Sequence, residues 1–519
     1  MRYFIGLDNG GTATKAAVFD EHGCQLGSYG MATLSTSLYP GFVERDMDEM
    51  WAANCKVIRG VLERSGIRGE DVTGVGVCGH GKGLYLWGRD DRPARLGIAS
   101  TDARAQPYID EWMHDGTADK AFKLSCQEII ACQPPALLAW IRDHEPSVYA
   151  NIKYVFECKD YIRFMLTGNA RAELSDYSGT SLLNLHTRSF DPKLFKLFGI
   201  SEMLTHMPEP CLCNEVAGHI CAEAAAATGL QEGTPVVGGF FDIDACAVGS
   251  GVISSGRVCM IAGTWSINEY VRSAPVLDGS VSKNSCFCLP GYYLIEESSP
   301  TSAGNNEWFV RKLLPDVCDE AATHGASVYD VVGGWVESLS PTNSVPLFLP
   351  YLMGSNVSPF ARGAFIGLTD RHTRAHLARS VYEGIAYCHR QHYEKLLVSM
   401  EERPDAIRLS GGVARSRVWA QIFADVMGTP IETIDAKEVG ALGCAIAASV
   451  ACGVQPDIDA AVDAMVRVAE RFEPNPEAAR SYEKRYQAYC KVAVCLDDVW
   501  ESVAELDGEQ KSSQSSPRR

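Results

Sequence analysis

Residues 3–19 read YFIGLDNGGTATKAAVF. An apolar run from Tyr3 to Leu7 meets the polar turn Asp8-Asn9-Gly10-Gly11-Thr12, and a second run from Ala13 to Phe19 follows. That is a strand, a glycine-tipped turn and a strand, with Glu21-His22-Gly23 turning into a third. Glycines at such a tip let backbone N–H groups approach phosphate oxygens. Thr12, Thr14 and Lys15 add hydroxyls and a cation, and Asp8 is a hard oxygen donor suited to Mg2+ through water. A plain hairpin turn is the competing reading. The pattern returns in the second half, where Val258 to Ala262 runs into Gly263-Thr264-Trp265-Ser266 and then Ile267 to Val271. Two such tips suggest a duplicated architecture whose loops grip one polyphosphate from opposite sides.

Between and after the hairpins, strand and helix signals alternate. Helices are expected at Met47 to Ser65, Ala136 to His144, Arg374 to Met400 and Ser416 to Met427, and strands at Gly74 to Cys78, Ala406 to Leu409 and Pro430 to Ile434. The fold class is α/β. A Gly/Ser-rich stretch, Gly249 to Gly256, marks the boundary between a domain of residues 1–250 and one of residues 256–500. Residues 507–519, polar and Ser-rich, are expected to be a disordered tail.

The 519 residues exceed what one hydrophobic core supports. Lys+Arg 47 against Asp+Glu 65 leaves a net charge of −18, the wrong sign for a nucleic-acid or membrane-surface binder. A small-molecule partner is expected instead, with no nucleic acid and no membrane. The N-terminus reads as a strand and not a leader, so a cytoplasmic location is expected, with the 19 cysteines mostly serving as buried thiols.

Other motifs collect chemistry. Gly411-Gly412, between a strand and a helix whose first turn carries Ser416, would offer amide donors beside a nucleotide. Gly238-Gly239-Phe240-Phe241-Asp242-Ile243-Asp244 places two carboxylates in an apolar segment, each a candidate general base or a helix N-cap. The residues alone do not choose between Asp242 and Asp244. Gly79-His80-Gly81-Lys82-Gly83 and Ser100-Thr101-Asp102-Ala103-Arg104 gather polar groups suited to hydroxyl and carbonyl recognition, or form a solvated rim.

Several look-alikes fail on context. Gly74 to Gly79 spells G-x-G-x-x-G, but no helix follows, and Gly81-Lys82 lacks the Ser/Thr of a phosphate-binding P-loop. Cys211, Cys213, His219 and Cys221 lack paired C-x-x-C spacing for zinc. His372 and His376 lack the glutamate of H-E-x-x-H, and no G-x-S-x-G is present.

To about residue 500 the chain resembles the FGGY carbohydrate kinases. Gly363-Ala364-Phe365-Ile366-Gly367-Leu368, His376-Leu377 and Ser380-Val381-Tyr382-Glu383 fit that family's C-terminal signature. The N-terminal signature is partly kept around Pro134 to His144, with Trp140 present and Leu137 where lysine is usual. The resemblance implies two actin-like, ribonuclease H-like ATPase domains with an interdomain cleft, and it selects Asp242, at the family's distance before Gly249, as general base. It further implies ATP and Mg2+, with Asp8 supporting the metal. Gly10, Gly11, Thr12, Thr14, Lys15, Gly263, Thr264 and Ser266 would hold phosphates, and Gly411, Gly412 and Ser416 would line the adenosine side. The double glycine Gly10-Gly11, the His80 to Gly83 run, the run ending at Arg104, and Ser299 to Asn305 before Glu307-Trp308-Phe309 are similar to the L-xylulose kinase branch. By position Lys82, Asp102 and Asp242 meet the sugar, with His80 and Arg104 behind them.

The resulting expectation is ATP-dependent phosphorylation of the terminal hydroxyl of a ketopentose, L-xylulose to L-xylulose 5-phosphate. The alternatives within the family are L-ribulose, D-xylulose, 3-keto-L-gulonate and erythritol. An actin- or chaperone-like ATPase is the rival of a different class. A homodimer is a family expectation.

Overall fold

The computed structural model describes residues 1–355 and 360–506. The expected tail at 507–519 lies outside them. The chain forms two compact units, each built from separate stretches. The first unit is Met1–Ser254 with Val271–Ile295 and Asp435–Arg467, and the second is Ser255–Tyr270 and Glu296–Ile434 with the described residues from Val468 onward.

In the first unit the opening strands are β1 (Tyr3–Asn9), β2 (Ala13–Asp20) and β3 (Gln25–Ala32). A two-residue strand, β4 (Glu44–Arg45), precedes helix α1 (Met47–Ser65) and then β5 (Val72–Gly79). Helix α1 starts where Asp46 accepts from the Asp48 and Glu49 amides and stops at Gly66, whose φ of 71° ends the helical turn. Its buried Met50, Val57, Val61 and Leu62 recur at helical spacing and pack into the core with Ile5, Leu7 and Val75.

The main sheet runs Val216–His219, Pro235–Val237, β5, β1, β2, β3. β1 is antiparallel to β2 and parallel to β5. β1 extends through Asp8 and Asn9, two residues further than the sequence suggests, because both continue the ladder opposite Lys15 and Thr14. Asp8 is therefore a strand residue, and the turn shrinks to Gly10, Gly11 and Thr12.

The helix Val439–Ala451 belongs to this first unit and lies backbone to backbone against it. A Cβ at Gly6 would fall 2.0 Å from the Ala441 carbonyl oxygen, and one at Gly443 2.1 Å from that of Ala245. A side chain at Gly6 would push this helix off β1, and one at Gly443 would push it off the helix Asp242–Gly249.

The second unit's sheet places Ser266–Arg272, Arg257–Ala262, Ala406–Gly411, Ile431–Ile434 and Val468–Phe472 side by side in that order. Helices Arg374–Ser399 and Arg417–Met427 pack together, with Trp419 stacked on Tyr382 at 3.9 Å between ring centroids. His376 shares a capping box with Thr373 at the start of the first of these helices. No disulfide joins any of the 19 cysteines, most of which are buried. Among the described residues no helix is long and apolar enough to cross a membrane.

Candidate active site

The first unit's site gathers at the carboxyl ends of parallel strands, where open α/β sheets present ligand-binding loops. Asp8 on β1 lies beside Cys78 on β5, and Phe240–Phe241 pairs with Cys78–Gly79 from β5's other side. Asp242 follows at once as the first residue of the helix Asp242–Gly249. Three strands thus deliver Asp8, the loop after Gly79, and Asp242 to one place.

The two candidate carboxylates differ in exposure. Asp242 is half-buried, whereas Asp244 is sealed at 0% exposure. Both acids are pushed well above the ordinary carboxylate range, first by burial. For Asp242 the neighbouring charges of Asp8 and Asp176 add to the rise and Lys82 opposes it. Burial also lifts Asp8 to about 6, with Lys15 pulling down and Glu438 pushing up. Lys15 Nζ sits 2.9 Å from Glu438 Oε2.

The loop between β5 and the strand Tyr85–Gly88 is tightly constrained. Lys82 has φ 65° and Gly83 φ 86°, a conformation that costs a lysine roughly 1–2 kcal/mol. The Lys82 ammonium lies 5.6 Å over the Phe241 ring. His80 donates its backbone N–H to the Asn9 carbonyl at 3.0 Å. Burial first, and then Arg45, depress the His80 imidazole to about 3, so the ring is neutral. Its Nε2 lies 3.2 Å from Arg45 Nη1 and 2.9 Å from the Tyr85 hydroxyl. Arginine can only donate, so Nε2 accepts and the ring proton sits on Nδ1, 3.4 Å from the Gly81 carbonyl.

Asp102 and Arg104 form a buried pair fixed from all sides. Arg104 Nη2 donates to Asp102 Oδ2 at 2.9 Å, Val43 N–H donates to the same oxygen at 2.7 Å, and Arg104 Nη1 reaches Glu44 at 2.9 Å. The guanidinium is stacked 4.2 Å over Phe42 and 5.1 Å over Trp140. Leu137, where the family's lysine is usual, is fully buried in an apolar cluster with Leu138 and Ile141.

Beneath this layer lies an ionic cluster that sequence reasoning missed. Lys159, at 0% exposure, is 2.7 Å from Asp160, 3.4 Å from Asp176 and 3.5 Å from Glu173. Arg163 also pairs with Asp160 and donates to the Gly238 carbonyl. Glu173 accepts from the Ser175 amide and hydroxyl at 2.9 and 2.7 Å, and Ser175 Oγ accepts from the Phe241 amide at 3.2 Å. The segment Gly238 to Phe241, which carries Asp242, is thus anchored to buried charge. A run such as Cys158-Lys159-Asp160 reads in isolation as a solvated helix face, and Glu44-Arg45-Asp46 as a surface charge run.

The hydroxyls of the phosphate-loop candidates point different ways. Thr14 is buried and donates to Asn9 Oδ1 at 3.4 Å, while Gly11 and Thr12 are exposed. In the second unit Ser266 is fully buried against His389 at 3.1 Å and Asn268 at 3.2 Å, while Thr264 is exposed. Gly411, with φ 87°, lies where a Cβ would meet the Ala262 carbonyl oxygen at 2.5 Å, so the two turns of that unit can approach only through glycine. Gly411 and Gly412 are exposed, and Ser416 is the N-cap residue of the helix Arg417–Met427.

Among the described residues no group of three or more His, Cys, Asp or Glu side chains is placed to hold a metal, Cys211, Cys213, His219 and Cys221 included. Asp8 nonetheless fits Mg2+ held jointly with phosphate. It is a hard oxygen donor at an exposed glycine turn, and its charge is one of those that, after burial, raise the Asp242 pKa, a repulsion that a divalent cation would relieve.

Comparison with known proteins gives this geometry a family. Residues 3–249 match the N-terminal domain of the FGGY family of carbohydrate kinases and residues 258–452 its C-terminal domain. An L-xylulose/3-keto-L-gulonate kinase of Escherichia coli (strain K12) is 34% identical over 97% of this chain and 99% of its own. A "Probable L-xylulose kinase" of Pasteurella multocida (strain Pm70) is 33% identical over 96% of this chain and 99% of its own. The crystal structure of xylulose kinase from Rhodospirillum rubrum superposes with a TM-score of 0.82 at 26% identity, over 96% of this chain and 100% of that one. With both domain models matched in order and relatives a third identical along nearly their whole length, the chain belongs to the FGGY family: it is a carbohydrate kinase, a phosphotransferase with ATP and a small sugar as its substrates.

Proposed function

We propose that this kinase phosphorylates the terminal hydroxyl of an open-chain ketopentose, converting L-xylulose to L-xylulose 5-phosphate, with Asp242 as general base. The observation that carries the base assignment is the contrast between half-buried Asp242 and sealed Asp244, two residues apart at the start of one helix. The substrate rests on the names of the two relatives.

In this reading Asp242 takes the proton of the attacking hydroxyl, whose oxygen forms the new bond to the γ-phosphorus as the bond to the β-phosphate bridging oxygen breaks and ADP leaves. A raised carboxyl pKa makes Asp242 a better proton acceptor once it is ionised, and Lys82 beside it keeps a share of it ionised. Lys82 meets the sugar; Asp102, expected beside it, is fully buried with its oxygens taken by Arg104 and the Val43 amide, and with His80 and Arg104 it holds the surrounding loops in place. Gly10, Gly11, Thr12, Thr14 and Lys15 form the phosphate loop of the first unit. Gly263, Thr264 and Ser266, with Gly411, Gly412 and Ser416, serve the nucleotide in the second. Mg2+ bound through Asp8 would supply neutralisation of phosphate charge.

A second substrate, 3-keto-L-gulonate, is favoured by the Escherichia coli relative's name and by Lys82, a cation suited to a carboxylate. The test is ADP release with Mg-ATP across L- and D-xylulose, L- and D-ribulose, erythritol, glycerol, 3-keto-L-gulonate and no sugar. The proposal expects the highest kcat/KM with L-xylulose and negligible release without sugar. Preference for a different sugar overturns the substrate, and sugar-independent release points to an actin- or chaperone-like ATPase.

A further inference from the structure

Arg45, in the two-residue strand β4, is 5% exposed and uses its guanidinium to join two loops. Nη1 donates to His80 Nε2 at 3.2 Å, and Nη2 donates to the Gly11 carbonyl oxygen. One loop is the His80 to Gly83 run assigned to the sugar, and the other is the phosphate loop. β4 is itself held in place by pairing with Gly97–Ile98.

The bond to Gly11 sets a peptide plane. The Gly11–Thr12 peptide is trans, so a Gly11 carbonyl aimed inward at Arg45 turns the Thr12 N–H of the same unit outward, to the exposed side of the turn. That is the direction from which a phosphate oxygen would be bound. Gly10 and Gly11 have no side chains to fix this orientation, and two adjacent glycines have the most backbone freedom to lose on ordering. Beyond Arg45, the turn is tied by the Gly10 N–H to Ala13 carbonyl bond at 3.0 Å and the Thr33 N–H to Thr12 carbonyl bond at 2.9 Å.

We propose that Arg45 is a positioning residue that couples the two substrates: it bonds His80 in the sugar loop with one guanidinium nitrogen and, with the other, holds the Gly11–Thr12 peptide in its phosphate-binding orientation. This rests on the loop assignments proposed above. Because each ligand engages one end of the same Arg45 bridge, each tightens the other by one common factor.

The test is equilibrium binding of the non-hydrolysable analogue AMP-PNP with Mg2+, measured with and without a saturating amount of the sugar turned over fastest by the wild type. The wild type is expected to bind the analogue about tenfold tighter with sugar present. Arg45→Gln is expected to bring that ratio to about 1–2. Arg45→Lys, which keeps the charge and can make one of the two bonds, should restore part of the ratio and serves if the glutamine variant fails to fold. A merely structural role would weaken both ligands and leave the ratio unchanged, and that result overturns the proposal, as does a wild-type ratio of 1. Failure of the wild type to show any sugar-dependent ADP release overturns the loop assignment underneath, a result visible before any variant is made.

Discussion

Gly81→Ala probes the contact that sets Asp242. A Cβ at Gly81 would lie 2.6 Å from Phe241 Cε2 and 2.8 Å from Asp176 Oδ1. Ordinary carbon contacts are ~3.5 Å, so the Phe241 ring must retreat by roughly 0.9 Å. The ring cannot swing freely, because Phe241 is 6% exposed and its amide is bound to Ser175 Oγ at 3.2 Å. The strain therefore passes to the next residue, Asp242. A displacement of about 1 Å at a reacting group costs on the order of 100-fold in rate, and overpacking a fitted core costs roughly 1–3 kcal/mol. Steady-state kinetics should show sugar kcat/KM down about 100-fold with KM for ATP within about threefold, and urea unfolding should show the loss of stability. Gly334 is the control: it is exposed in the helix Val328–Glu337 and has nothing within 4 Å of a built Cβ. Gly334→Ala should leave activity intact and add roughly 0.5–1 kcal/mol. A folded Gly81→Ala protein with unchanged sugar kcat/KM would refute the placement of this loop beside the reacting centre.

Two more predictions concern the buried charge. Lys159→Met removes the cation that Asp160, Glu173 and Asp176 share, and is expected to lower stability by roughly 3–5 kcal/mol in urea unfolding; an unchanged midpoint would show the cluster to be dispensable. The second is a pH dependence. Burial pushes the Asp176 carboxyl up to about 8, with Lys159 opposing and Asp160 and Glu173 adding, and burial raises Glu157 and Asp244 as well. The folded state then holds protons the unfolded chain has released, so this contribution to stability is full below the ordinary carboxylate range and is lost as pH rises through about 8. Urea stability should fall between about pH 4 and 8 and level off above, by up to ~1.4 kcal/mol per pH unit for each proton involved, and Asp176→Asn should flatten the slope. A flat wild-type profile would contradict the raised carboxyl pKa.

Local structure was legible in the sequence where apolar periodicity and end signals agree. Helix α1 has the bounds its Asp46 cap and Gly66 stop imply, and both hairpins lie where the strand–glycine–strand pattern puts them. What was not legible depends on partners distant in the chain. The helix Val439–Ala451 is apolar on nearly every face because it is surrounded, and the reason for glycine at 443 appears only when Ala245 lies against it. Arg45 and Lys159 look like surface charges until the groups that satisfy them are seen to come from residues far away, or from a helix whose polar side faces inward. Hydroxyls are ambiguous for the same reason, since Thr14 and Ser266 sit in loops suited to phosphate yet spend their side chains on Asn9 and His389.

The central claim is that Asp242 accepts the proton of the sugar hydroxyl. It is tested most directly by the pre-steady-state rate of ADP formation with saturating Mg-ATP and L-xylulose, for wild type, Asp242→Asn and Asp244→Asn, across pH. The account predicts a wild-type rate that rises with pH through a carboxyl pKa above the ordinary range, because the base must be ionised and burial raises Asp242. It predicts that Asp242→Asn loses at least about 100-fold to 10,000-fold in rate while AMP-PNP binds within about threefold of wild type. Asp242→Asn retaining the wild-type rate within about tenfold, or Asp244→Asn alone abolishing transfer in a folded protein, would contradict it.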